Sequence, residues 1–328
     1  MKAVLFSDFG GPEVLHIGEA EVPSPGPGEV LVRVRATALN RADLLQRRGL
    51  YPAPQGASDI LGLEMAGEVA QVGDGVAAVA VGDRVCALLP GGGYAQYVCV
   101  PAGMLMRLPP RLTFAQGAAI PEAFLTAYLN LFSLGNLAPG ETVLVHAGAS
   151  GVGTSAIQLI RLAGARSIVT AGSSVKLERC MSLGAEAGWN YHEGSFVSFV
   201  EEQTGGDGVN MILDFVGAPY FEDNISSLAV DGRLIIIGTM GGAEVQSVNL
   251  GTLLARRLQV IGTALRSRSV ATKIELTQAF QTFAGNALAN GEIAPVIDSV
   301  FDWKDVQDAH RYMESNKNVG KIVLNIGE

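Results

Sequence analysis

The stretch Thr142–Leu159 reads TVLVHAGASGVGTSAIQL. An apolar strand pattern ends at His146, Gly148, Gly151 and Gly153 follow, and an amphipathic helical pattern starts directly. Backbone amides with no side chain in the way can approach a pyrophosphate, and a helix N-terminus favours its negative charge. The chemistry this predicts is dinucleotide binding through Gly148, Ser150, Gly151, Val152 and Gly153. The glycine order is G-x-x-G-x-G rather than the strict G-x-G-x-x-G. Context therefore carries the reading: a strand before, a helix after and further strand–helix units beyond.

The next strand ends TAGSSVK. Sheets that bind NAD usually place an acid here, about 20 residues on, to hold the ribose 2′-hydroxyl. This chain has Ser173 and Lys176 instead, a hydroxyl and a cation that suit a 2′-phosphate, so NADP(H) is the expected cofactor. Tyr191, in WNY at the end of the following strand, can add a third hydrogen bond. Loops at the carboxyl edge of such a sheet face the cofactor, which nominates Val216, Gly217, Gly238 and Met240. Asp214 reads as a structural strand-end acid.

A second stretch, LGLEMAGEV (Leu61–Val69), places Glu64 among apolar residues and glycines. Carboxylates are rarely buried there unless paired or liganded. Glu64 is then either half of a metal site or an acid held by neighbouring backbone or an arginine. His16, His146, His192 and His310 do not cluster with Cys86, Cys99 and Cys180, and no C-x-x-C repeat exists. No metal is expected.

These residues need a scaffold, and the composition permits a large one. The chain has 328 residues, 48% hydrophobic and only 17% charged, which argues for a globular protein of roughly two domains. A net charge of −9, with no basic cluster beyond the RSR ending at Arg268, argues against a nucleic-acid partner. No apolar run reaches the ~18–20 residues of a membrane span. Asp8 interrupts any signal-peptide core, and three scattered cysteines suit a reducing compartment, so a cytoplasmic location is expected.

The first ~120 residues read as short β segments bounded by Gly and Pro, with helical pattern nearly confined to NRADLLQRRG. From Thr142, runs such as TVLVHAG, SIVTAGS, VNMILDFVG and RLIIIGT are apolar on both faces. They alternate with helical segments (GVGTSAIQLIRLAG, SVKLERCMSLG, YFEDNISSLAV), which predicts a doubly wound parallel sheet. Gly184 is placed to close the second helix. The tail supplies the helix IELTQAFQTFAGNAL and a last strand expected to rejoin the first domain. The fold class is α/β: a parallel-sheet domain over 123–265, and a discontinuous β-rich domain from 1–122 with 266–328.

ALNRADLLQRRGLYP, LGLEMAGEV, GDRV, AAIPEAFLTAY, HAGASGVG, GAEAGWNY and KNVGKIVL stand in the order seen in one family. The chain resembles a medium-chain dehydrogenase/reductase, specifically a zeta-crystallin-like quinone oxidoreductase, nearest to the tumour-suppressor-inducible branch. That resemblance implies a Rossmann domain beside a GroES-like barrel, a cleft between them, hydride transfer from NADPH to quinones or other α,β-unsaturated carbonyls, and a homodimer joined through RRLQVIGTAL. Zinc-bearing relatives carry a cysteine where this chain has Asn40 and a histidine where it has Leu63, so the resemblance implies a zinc-free enzyme. By position it adds Asn40, Thr126, Thr263, Leu265 and Asn318 as cofactor contacts. Tyr51 stands as proton donor or pocket wall, with Asn40 as a side-chain amide at the acceptor. Two other readings remain. An enoyl-thioester reductase would need a basic rim, for which Arg47 and Arg48 are present. An NADPH-binding structural or regulatory protein would turn over little.

Overall fold

The computed structural model describes residues 1–327. The chain forms two units, Met1–Leu125 with Leu265–Glu328, and Thr126–Ala264.

The second unit is built on six parallel strands. In spatial order they are Ala187–Asn190, Arg166–Ala171, Thr142–Val145, Val209–Asp214, Leu228–Ile236 and Gln259–Gly262. The apolar runs explain them: Val143, Leu144, Val145, Ile168, Val169, Ile212 and Leu213 are wholly buried, as strands covered on both faces require. Helices Gly151–Leu162, Ser174–Leu183, Val197–Thr204 and Phe221–Ser227 make the crossovers. Ala156, Leu159 and Ile160 form the buried stripe of the first, and Gly184 ends the second in the left-handed region at φ 113°. Strand order reverses between Thr142–Val145 and Val209–Asp214, and at such a switch point the carboxyl ends open a crevice. This is the Rossmann arrangement.

One element departs from the sequence reading. The helix expected over YFEDNISSLAV stops at Ser227, and Leu228 begins a strand. Leu228 pairs with Val209 and buries its side chain in the core with Leu144, Ile212 and Leu234, so ladder and core contacts override the helical pattern.

The first unit carries a seven-stranded sheet. Ile297–Asp302, Lys321–Asn325, Glu29–Ala38, Glu64–Val72, Arg84–Leu88 and Leu105–Arg107 follow one another, and Tyr97–Pro101 pairs with Glu29–Ala38. The C-terminal strand joins antiparallel to the N-terminal part, with Val323 opposite Ala38. The sequence reading left Ile297–Asp302 without an element. It also left helices Phe114–Ala118 and Pro121–Tyr128 unassigned. Thr113 and Gln116 form a capping box before the former, a T-x-x-Q signal present in the sequence. No helix among the described residues is long and apolar enough to cross a membrane.

Candidate active site

In the second unit the chain leaves Val145 and turns through Ala147, at φ 48°, to Ser150, whose hydroxyl accepts the Gly153 N–H at 3.0 Å. Gly151 and Val152, the first residues of the helix, have N–H groups with no intrahelical acceptor, a positive end suited to phosphate. A Cβ on Gly153 would lie 2.5 Å from the Ala147 carbonyl oxygen and 2.6 Å from that of Gly148, so only glycine lets loop and helix pack this closely.

At the end of the neighbouring strand no carboxylate stands at the predicted position. Ser173 caps helix Ser174–Leu183 by accepting the Lys176 N–H at 3.4 Å, and Lys176 itself is half-buried. The Tyr191 phenol lies over Gly172, since a Cβ there would sit 2.3 Å from Tyr191 Oη. Ser173, Lys176 and Tyr191 thus gather around one strand end.

Asp214 is spent on its own turn. Its carboxylate accepts the N–H groups of Val216 at 2.8 Å and of Gly217 at 3.1 Å, and burial pushes it up while those bonds oppose. Gly217 bridges to Gly242, tying its loop to the one holding Gly238 and the exposed Met240. Thr126 and Thr263 each bury a hydroxyl oxygen with no partner among the described residues. Buried hydroxyls are normally satisfied, so these two are ready to bond a ligand. Free helix-end amides, the close loop packing and the orphan hydroxyls together fit a dinucleotide. His146 plays no part in acid–base chemistry. It is buried between Thr170 Oγ1 (2.9 Å) and Asn224 Oδ1 (2.7 Å), and burial pulls it down to about 4.

The first unit holds a buried polar centre. Glu64 is wholly buried: its Oε1 accepts from Asn40 Nδ2 at 2.9 Å and faces Lys321 Nζ at 2.7 Å, and its Oε2 accepts the Glu122 N–H at 2.8 Å. Lys321 spends its other donors on the Leu39 carbonyl (2.8 Å) and Asn40 Oδ1 (2.6 Å). Two sequence expectations change here. The cation beside Glu64 is a lysine rather than an arginine. The Asn40 amide is engaged with Glu64, Lys321 and the Ala38 carbonyl, and so braces the acid. The donor set does not fit zinc. An ammonium faces the carboxylate, and the nearby Cys86 thiol is pushed up to about 12 by burial, with the Glu64 charge adding, so it offers no thiolate. Among the described residues no group of three His, Cys, Asp or Glu could hold a metal.

Tyr51 lies in the same unit, half-buried, with Arg266 Cζ 5.3 Å from its ring centroid. Burial raises its phenol; Arg266 opposes and Glu122 adds. Glu122 is raised to about 8, by burial first and then by the Glu64 charge, against Lys321 and Arg266, which leaves it mostly protonated at neutral pH. Asn318 donates to the Gly320 carbonyl at 2.9 Å, and Leu265 is buried. The expected contacts therefore divide. Asn40, Tyr51, Leu265 and Asn318 belong to the first unit and the others to the second.

Sequence reasoning missed Lys321, Glu122 and Arg266. Glu122, an acid in the apolar run AAIPEAFL, carried the signal that exposed Glu64. Arg47 and Arg48 do not form a free basic rim: Arg47 is wholly buried against His310, the Gly10 carbonyl and Glu314, and Arg48 also pairs with Glu314.

Residues 151–282 match the family described as zinc-binding dehydrogenase, and residues 26–110 match the alcohol dehydrogenase GroES-like domain. Over 330 residues the chain is 32% identical to the quinone oxidoreductase of Rattus norvegicus, covering 99% of this chain and 97% of that protein. The solved structure of an NAD-dependent alcohol dehydrogenase matches with a TM-score of 0.88 at 33% identity, covering 100% of both chains. Escherichia coli quinone oxidoreductase complexed with NADPH matches with a TM-score of 0.87 at 32% identity, over 99% of this chain and 100% of that one.

Proposed function

The chain belongs to the quinone oxidoreductase family of the medium-chain dehydrogenase/reductase superfamily, and from that membership we propose that it is a zinc-independent reductase using NADPH to reduce quinones and other α,β-unsaturated carbonyls. The observation that carries the reading is the second strand end of the Rossmann unit, where Ser173, Lys176 and Tyr191 stand and no carboxylate does.

When bound, NADPH supplies the hydride. The helix-end amides of Gly151 and Val152 hold the pyrophosphate, Lys176 and Ser173 the 2′-phosphate, and the Thr126 and Thr263 hydroxyls take the remaining polar edge. In the other unit Tyr51 keeps its phenol protonated and gives the proton to a developing enolate. The Lys321–Glu64–Asn40 set takes the place of a metal as the positive charge that keeps Glu64 in position. The burial of Arg47 and the pairing of Arg48 with Glu314 weigh against the enoyl-thioester alternative.

Three measurements test this. An NADPH-oxidation screen over quinones, enals and enoyl thioesters should show turnover with the first two; NADPH binding without turnover on any acceptor would favour a structural role. Lys176→Ala should weaken NADPH by about 10- to 100-fold, the scale of one charge-assisted bond, and leave NADH nearly unchanged. Equal weakening of both cofactors would reject the 2′-phosphate assignment. Purified protein should carry far less than one zinc per chain and keep its activity in chelator. Stoichiometric zinc with activity lost on chelation would reject zinc independence.

We also propose a homodimer. Gln259–Gly262 is an edge strand, and Leu250 and Leu254, in the helix just before it, are 71% and 81% exposed. Light scattering at micromolar concentration should give twice the chain mass, and Leu254→Glu should halve it.

A further inference from the structure

Arg266 is a buried charge whose environment leaves one part of it unexplained. Only 5% of the residue is exposed. Its Nε donates to the Pro90 carbonyl at 2.8 Å and its Nη2 to Gln46 Oε1 at 2.7 Å. Lys273 Nζ donates to its backbone carbonyl at 2.6 Å and fixes the main chain there. Nη1 is buried and has no acceptor among the described residues. An unsatisfied donor on a buried guanidinium is costly, so a partner from outside the protein is expected for it. The half-buried Tyr51 ring lies against this same guanidinium.

We propose that Arg266 is a catalytic residue that donates an Nη1–H hydrogen bond to the carbonyl oxygen of the acceptor, beside Tyr51. This rests on the reductase reading above. As hydride from NADPH adds to the acceptor, the π pair of the C=O or conjugated C=C–C=O system moves onto oxygen. Arg266 stabilises that negative charge without giving up a proton. The proton that completes the product comes from Tyr51 or, for a hydroquinone, from water. Arginine suits the task because its planar fork keeps two nitrogens, Nε and Nη2, on the scaffold and leaves the third, Nη1, to bond elsewhere, which lysine cannot reproduce. Burial pulls the guanidinium down, and the nearby Asp43 opposes that shift. The ligand class is a neutral carbonyl that gains negative charge on oxygen during reaction.

The test compares Arg266→Lys, Arg266→Met and Gln46→Leu with wild type. Both Arg266 variants should lower kcat/KM for quinones and enones by about 10- to 100-fold, with the NADPH dissociation constant unchanged. The loss should grow along a series of quinones as their reduction potential falls, because a harder acceptor depends more on charge stabilisation. The infrared carbonyl stretch of bound 1,4-naphthoquinone should be shifted to lower frequency in wild type, and the shift should vanish in Arg266→Met. Gln46→Leu removes a support of Arg266 while sparing Nη1; it should lower the melting temperature and keep the carbonyl shift. Losses that are uniform across the quinone series and follow the melting temperature, or a carbonyl stretch unchanged by Arg266→Met, would overturn the proposal. A wild-type protein that oxidises no NADPH with any acceptor would overturn the reductase reading, and the carbonyl stretch would still decide whether Arg266 holds the oxygen.

Discussion

Replacing Lys321 by methionine is expected to cost about 3–5 kcal/mol of folding stability, the usual loss when one partner of a buried ion pair is removed. Glu64 is wholly buried, and the Lys321 side chain is 6% exposed. Water therefore cannot take over the lost interaction. The Asn40 amide and the Glu122 N–H would remain, but both are neutral donors facing a full negative charge. Leu39 and Asn40 would each also lose a bond to the ammonium. Adding Glu64→Gln to Lys321→Met should recover most of the loss, because the double variant buries no charge. Denaturant unfolding, followed through the buried Trp303 of the same unit, measures each term. A single-variant loss below about 1 kcal/mol would mean that the pair behaves as an exposed one.

Tyr51→Phe is expected to depress enone reduction by roughly 10²-fold or more while lowering quinone reduction much less. Reduction of an enone leaves a carbanion or enolate that must be protonated on carbon or oxygen, and a positioned acid shortens that step. Hydride addition to a quinone leaves a hydroquinone monoanion, whose charge sits on an oxygen that water can protonate. Burial raises the Tyr51 phenol above its ordinary value of 10.0, so it holds its proton throughout the neutral range. The variant keeps the ring against Arg266 and removes only the hydroxyl. Steady-state kinetics with one quinone and one enone, at saturating NADPH, decide the matter. Small and equal effects on both would make Tyr51 a wall of the pocket.

The two tests probe features of different visibility in the sequence. The expectation of a phosphate loop could be read from the sequence because all of its requirements are local. Gly148 to Gly153 lie within one strand–turn–helix unit, and the apolar runs on either side report burial directly. The missing acid at the second strand end was legible for the same reason, since strand and helix bracket Ser173 closely. Glu64 could be recognised as an anomaly from its neighbours alone.

What held Glu64 could not. Lys321 bonds Asn40 across 281 positions of sequence, and nothing in the spacing of either residue announces the other. Antiparallel addition of Lys321–Asn325 to Glu29–Ala38 brings them together, and strand register is a property of the whole sheet. Arg47 shows the reverse failure. In the sequence it is a surface cation beside Arg48, whereas in the fold it is wholly buried against His310 and Glu314. Leu228 began a strand because Val209 and the core were waiting for it, against a helical pattern that ran on. The parallel-sheet unit and most of its strands and helices could be read from the sequence, because periodicity and glycine spacing act over a few residues. The tertiary structure alone decided which charge meets which, because burying a charge requires partners that only long-range packing supplies.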